Sequence, residues 1–265
     1  RQHGVVTATG NVFDLRDGTG GGTFELVEGA QLVRTAGTGS FGINLPATIA
    51  GDLVLETGSL DINDTTTVSG SIRVADGASA FLAGTGTAVT GTIEGTGTAS
   101  LRLDGGTTLF EAGSELAVPF VEVTTGTHVV GVDATLSTSS LTISGGNTTI
   151  EPAQTVASLA VRGGVLEGPA DLTVTDAFTW TAGAIRGPDA SVLLTIESGA
   201  TATLGSLCCF LDLDGRTLEM QAATSTWNTA YPRLLSGAVW RQHGAVTATG
   251  NAFDLRDGTG GGTFE

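Results

Sequence analysis

The sequence predicts an all-β chain: a parallel β-helix, or β-solenoid, of roughly a dozen coils in each 240-residue period. Three observations carry that expectation. Residues 1–25 and 241–265 are copies of one motif, RQHGVVTATGNVFDLRDGTGGGTFE, that differ only at Val5/Ala245 and Val12/Ala252. Apolar residues recur at i and i+2 in short runs along the whole chain, the period of a strand with one buried face. Each run is closed by Gly, Asp, Asn or Ser, the residues that turn a chain.

In chain order, Phe13 and Leu15 precede Arg16-Asp17-Gly18, Phe24 and Leu26 run to Glu28-Gly29, and Leu32 and Arg34 end at Gly37. Leu53 and Leu55 then lead to Gly58, Leu60 and Ile62 to Asn63-Asp64, and Ile72 and Val74 to Asp76-Gly77. A polar interlude over 85–100 holds little bulk, after which Leu101, Leu103, Leu109, Leu116, Val118, Val121 and Val123 restore it. Pro119 lacks a ladder donor and is expected at a corner or in an irregular strand. The pairs continue with Leu141 and Ile143, Leu159 and Val161, Leu172 and Val174, Leu194 and Ile196, and Leu211 and Leu213, before Leu218 and Met220. No stretch of a dozen residues keeps a Gly-free helical pattern, and Thr, Val and Ile favour strands.

Sandwiches and barrels close after about 7–10 strands, whereas a solenoid stacks similar units without limit. Coils of about 20 residues, with spacings from about 12 to 29, suit a β-helix with loops of varied length. If each coil rises by one strand spacing of about 4.8 Å, twelve coils give roughly 55–60 Å per period. Residues 1–240 are therefore read as one full period and 241–265 as the start of the next. The chain begins at Arg1 and stops at Glu265 in mid-motif, so neither end is expected to be a natural domain terminus. The open ends of a solenoid are edge strands, and in such an array the end of one period is met by the start of the next.

All eleven basic residues are Arg, and against 27 acids the net charge is −16. That balance argues against nucleic acid or an anionic membrane surface as a partner, since both need a basic footprint. The plain reading of the charge is a solvated, self-repelling surface. No run of about 18 apolar residues is present to insert in a bilayer.

Cys208 and Cys209 are adjacent, and neighbours on a strand point to opposite faces. Two free thiols, one acting as a small buried hydrophobe, is the plainer reading. A disulfide or an inter-chain contact to a neighbouring coil is the sharper one and would indicate an oxidising compartment. Trp227, Tyr231 and Trp240 read as core or junction packing, with a lateral interface as the alternative.

Thr179-Trp180-Thr181-Ala182-Gly183, Gly199-Ala200-Thr201-Ala202-Thr203-Leu204 and Leu213-Asp214-Gly215-Arg216-Thr217-Leu218 follow one another within residues 165–220. This succession resembles a module of very large, repetitive bacterial surface proteins, and Trp227 and the Gly-Thr-Phe of 262–264 fit the same pattern. The resemblance implies a parallel β-helical stalk, adhesin or filament component outside the cell or on its surface, and it brings no catalytic residues. CCF at 208–210 and TAYPRLL at 229–235 interrupt the expected coils.

A polysaccharide-cleaving β-helix enzyme is the catalytic rival and would need acids clustered on one face. Asp212 and Asp214 share a strand face, and Asp61 and Asp64 are placed in a turn, where acids are most simply solvated corners. GTGGGTFE has the glycines of a calcium-binding solenoid loop without its Asp, and His3, His128 and His243 form no Cys/His zinc set. No catalytic, cofactor or metal site is expected. The sequence reads as a structural, non-enzymatic protein whose partner is itself, end to end, with lateral contact between copies as a further option. An adhesin rod presenting a glycan or protein site is the alternative.

Overall fold

The computed structural model describes residues 1–265 apart from 17–19, 206–208 and 250–253. Among the described residues there is no helix, and the parallel strands stack as a β-solenoid of about 11 turns, close to the dozen expected. Two compact units make up the chain, Arg1–Thr138 and Ser139–Glu265.

In the first unit each full coil visits three faces. One face stacks Val5–Ala8, Gln31–Arg34, Asp52–Leu55, Ser71–Val74, Thr92–Gly95, Glu115–Ala117 and Thr135–Leu136. Its inward ladder is Leu32, Leu53, Ile72, Ile93, Leu116 and Leu136, registered pair by pair at steps of 19 to 23 residues. The second face aligns Phe41, Leu60, Ala80, Leu101 and Val121, and the third aligns Leu26, Ile49, Val68, Val89, Phe110 and Val130. All of these are buried. Each Leu or Ile so buried stabilises the fold by about 1.5–3 kcal/mol relative to exposure.

The i, i+2 pairs read from the sequence are these ladder positions. The polar interlude is itself part of the stack, contributing Thr87–Val89 and Thr92–Gly95 with Val89 and Ile93 inward. Pro119 sits at the corner between Glu115–Ala117 and Phe120–Val130, where a missing N–H costs the ladder nothing. Leu109 differs from the aliphatic ladder: it points outward, 41% exposed, while Thr108 and Phe110 face in. Thr108 belongs to a buried polar ladder, Thr66–Thr87–Thr108–His128, beside the apolar one. Backbone oxygens satisfy part of this ladder: Thr66 Oγ1 donates to Asp64 O at 3.1 Å and His128 Nε2 lies 2.7 Å from Thr125 O, whereas Thr87 Oγ1 and His128 Nδ1 are buried without a partner.

One corner repeats almost unchanged. At Ala50-Gly51, Ser69-Gly70 and Thr90-Gly91, two successive amides donate to a single carbonyl one coil below, of Leu26, Ile49 and Val68 respectively. This draws the backbones so close that a Cβ on Gly70 would collide with Gly51 O, and one on Gly91 with Gly70 O. Glycine is required there by the approach of the next coil rather than by its own dihedrals.

The second unit also has three columns. Ser140–Ile143 is followed upward by the C-terminal parts of Gln154–Val161 and Leu172–Trp180, then by Thr201–Gly205, Thr224–Asn228 and Ala245–Ala248. Asn147–Ile150, Val165–Glu167, Gly183–Arg186, Leu211–Asp214, Pro232–Leu235 and Arg256–Asp257 form another. The N-terminal parts of Gln154–Val161 and Leu172–Trp180 begin the third, continued by Leu193–Ile196, Thr217–Met220, Val239–Gln242 and Thr263–Phe264.

Two arginines depart from the expectation that charge stays on a solvated surface. Arg34 is buried and donates to Asn11 O at 3.1 Å and Ser59 O at 3.3 Å, one coil below and one above its own. Arg216 is buried and donates to the carbonyls of Arg186 and Leu193, both at 3.3 Å, and of Ala170. Burial lowers its pKa to about 10, partly opposed by Asp171, so it stays protonated at neutral pH. The guanidinium's fan of donors suits a corner where several carbonyls converge.

Candidate functional site: the repeated edge coil

Among the described residues the two copies of the motif share several contacts, although the middle strand is Phe13–Arg16 in the first and only Arg256–Asp257 in the second. Arg1 Nε lies 2.6 Å from Glu25 Oε2, and Arg241 Nε lies 3.0 Å from Glu265 Oε2. Gln2 N donates to Glu25 O at 2.8 Å, and Gln242 N to Glu265 O at 2.9 Å. Arg16–Asp14 and Arg256–Asp254 are the same ion pair, each at 2.6 Å. Val5–Ala8 and Ala245–Ala248, equivalent residues, are both strands.

Their neighbours differ. The first copy pairs forward: Val5–Ala8 with Gln31–Arg34, Phe13–Arg16 with Ser40–Asn44, Phe24–Leu26 with Ala47–Ile49. The second pairs backward: Ala245–Ala248 with Thr224–Asn228, Arg256–Asp257 with Pro232–Leu235, Thr263–Phe264 with Val239–Gln242. A parallel strand carries hydrogen-bonding groups on both edges, and the pairings of the two copies lie in the same kind of stacked column.

Beneath the second copy lies an aromatic core. Trp180, Leu204, Trp227 and Ala248 succeed one another in one column, and Leu194, Leu218, Trp240 and Phe264 in another. Trp180 stacks on Trp240 at 6.4 Å and 21°, Trp227 meets Trp240 at 5.0 Å, and Phe264 caps both Trp227 and Trp240 at 6.5 and 6.1 Å. The tryptophans are buried, whereas Phe264 remains 44% exposed. Of the three aromatics singled out in the sequence, Trp227 and Trp240 share this core. Tyr231 is half-buried on a neighbouring turn, its carbonyl accepting from Leu211 N at 3.1 Å. Sequence spacing could not reveal the part played by Trp180, because it reaches Trp240 across 60 residues.

Cys209 is disulfide-bonded, so it is no free thiol, and the described residues contain no free cysteine. Cys208 lies outside the described residues.

The acids weighed as catalytic candidates are engaged in the stack. Asp212 takes a two-point contact from Arg233, at 2.8 and 2.7 Å, one coil above, and Asp214 faces Arg186 at 3.7 Å, one coil below. Asp61 lies within the strand Ser59–Ile62 rather than in a turn, and burial raises its pKa. Asp64 does sit in the turn, accepting from Thr65 N at 2.7 Å. A surface cleft of about 350 Å³ lies beside Thr149, Glu167, Pro169, Arg186 and Asp214. Among the described residues no three His, Cys, Asp or Glu side chains converge as metal ligands.

Fold and sequence define a class: a parallel β-solenoid in which one coil motif is repeated. Compared with protein-family models, curated proteins and solved structures, the chain matches none.

Proposed function

We propose that this chain is a structural component of an extracellular fibre or surface stalk built from tandem β-solenoid repeats, with no enzymatic role. One observation carries the reading: a 25-residue motif occurs twice, 240 residues apart, and the described strands of both copies join stacked columns of parallel strands. A repeated coil of this kind is what continuous stacking needs, since each period then ends on the coil with which the next begins. The mechanism is mechanical. Backbone ladders, inward apolar ladders and buried arginines tie each coil to the ones beside it, and stiffness accumulates along the stack.

Two further features support the reading. The large rings Trp180, Trp227 and Trp240 lie between coils and not on a lateral face, where an adhesin would present them. Asp212 and Asp214, the paired acids that a polysaccharide-cleaving enzyme would use, are held by arginines of adjacent coils. The resemblance of residues 165–220 to modules of large bacterial surface proteins agrees with the same role. Electron micrographs of the native material test it: filaments or stalks are expected, and compact monodisperse particles would refute it.

A further inference from the structure

Three successive coils of the second unit turn one corner with the same kind of sequence. Glu167-Gly168-Pro169, Arg186-Gly187-Pro188 and Asp214-Gly215-Arg216 each place a charged residue before a glycine. Arg186 is registered with Asp214, and the pairing of Val165 with Ala184, carried on by two residues, sets Glu167 beside Arg186. The charges therefore alternate along the stack, acid, base, acid, one strand spacing of about 4.8 Å apart.

The glycines keep this corner concave. Gly187 has so little room that a Cβ there would lie 3.1 Å from Arg216 Cβ and 3.2 Å from Gly215 O. Pro169 and Pro188 stand exposed at the lip, whereas Arg216, at the equivalent place one coil on, turns inward and is buried. The result is the cleft of about 350 Å³ beside Thr149, Glu167, Pro169, Arg186, Pro188 and Asp214, a size that suits a small ligand.

Its polar groups are not spent on one another. Arg186 Nε stands 3.7 Å from Asp214 Oδ2, the longest arginine–carboxylate pair among the described residues and beyond hydrogen-bond length. A second cleft gives the contrast: beside its volume of about 230 Å³, Arg73 Nε is closed on Glu94 Oε1 at 2.7 Å. The side chain of Arg186 is 47% exposed, so its donors can be reached from solvent. Glu167 accepts from Asn147 Nδ2 at 2.9 Å and from Thr149 Oγ1 at 3.2 Å, both through Oε1, so Oε2 is left to accept from a ligand.

We infer that this cleft binds a carboxylated sugar residue of a polysaccharide. Arg186 takes the carboxylate, Glu167 and Asp214 the hydroxyls on either side, and the rings of Pro169 and Pro188 the C–H face of the sugar. A guanidinium with unused donors matches a planar carboxylate through two parallel N–H···O bonds. The flanking acids accept from O–H donors and repel further negative charge, which selects a single carboxylate among hydroxyls over sulfate, phosphate or a run of acids. A ligand bearing an ammonium would meet Arg186 as a like charge, with the buried cation of Arg216 behind Gly187. A neutral sugar would leave Arg186 unanswered. The site lies on the side of the stack, so the inference holds whether or not the chain forms fibres.

Titration of the isotopically labelled protein tests it, with amide shifts as the readout. The probes are a tetrasaccharide of alternating glucuronate and N-acetylglucosamine, and a chitin tetrasaccharide, which lacks the carboxylates. The expected result is saturating shifts at Gly168, Gly187 and Gly215 with the first probe, and binding of the second weaker by about tenfold or more. Arg186→Gln should weaken binding of the first probe by about tenfold or more, whereas Arg73→Gln, the same change at the closed pair, should leave it unchanged. Both variants are first required to match the parent in circular dichroism and thermal midpoint, and the comparison of the two saccharides needs no variant. Equal binding of the two probes, no saturating shift at the three glycines, or full affinity in Arg186→Gln overturns the inference.

Discussion

The two units use one backbone plan and fill it differently. In Arg1–Thr138 the inward positions are mainly aliphatic, with Phe41 and Phe110 among them and a strip of threonines ending in His128. In Ser139–Glu265 they include all three tryptophans of the chain, packed around Trp240. Each unit also buries one arginine that binds carbonyls of other coils, Arg34 in the first and Arg216 in the second. The difference teaches that the content of the core is free to change along a solenoid. Each inward residue needs only to match the residues registered with it one coil above and one below, whereas the corners must satisfy converging backbone groups in every coil.

Substitutions can break this comparison in order of size. Trp240→Ala removes the ring on which Trp180, Trp227 and Phe264 pack and should cost about 3–5 kcal/mol. Tryptophan fluorescence from Trp180 and Trp227 during urea unfolding reports on the second unit alone and reads this loss directly. Arg216→Ala leaves three carbonyls without this donor and should cost about 3 kcal/mol by the same readout. Arg34→Ala leaves two carbonyls without this donor and should cost about 2 kcal/mol by circular dichroism. A loss below about 0.5 kcal/mol for both arginines would mean that water replaces them and that they do not secure the corners.

Gly70→Ala sharpens the point about corners. Its Cβ would meet the carbonyl of Gly51 rather than open space, so about 2 kcal/mol is expected at a position where a loop glycine ordinarily tolerates alanine. Gly77→Ala is the control for crowding, because nothing lies within 4 Å of a Cβ there and only its left-handed φ of 75° opposes the change.

His128 makes the first unit sensitive to acid in a way that the aromatic core is not. Burial holds its imidazole below the ordinary 6.5, partly opposed by the Thr125 carbonyl, so it is neutral in the folded chain at neutral pH. Below pH about 6.5 the unfolded chain takes up a proton that the folded chain refuses. Its contribution to stability is thus complete above that pH and declines as the pH falls, by at most about 1.4 kcal/mol per pH unit, until the folded-state imidazole also titrates. His128→Val should flatten the pH dependence of the thermal midpoint between about pH 6.5 and 5. An unchanged slope would contradict the assignment. The smallest effect belongs to Arg233→Ala, where a partly exposed pair with Asp212 is expected to contribute no more than about 1 kcal/mol and to weaken with salt.

The fold could be read from residues because its dominant signal is local. Leu53 and Leu55, Leu60 and Ile62, and Ile72 and Val74 declare a buried face by spacing alone, and the glycines after them declare the turns. The site was harder to read because its partners lie about one coil or more away in sequence. Arg34 and Arg216 look like surface charges until carbonyls 23 and 46 residues distant are brought beside them. Leu109 looks inward by composition, yet the register fixed by Thr87–Val89 turns Thr108 and Phe110 to the core. The motif duplication was plain in the sequence, but the register in which each copy pairs with its neighbouring coil depends on the stacked fold.

Diffraction from aligned fibres of the native material tests the central claim, that coils stack along the length of the assembly, most directly. The account predicts a strong reflection near about 4.8 Å on the meridian, parallel to the fibre axis. The same reflection confined to the equator would place the strands' hydrogen-bonding direction across the fibre and contradict it.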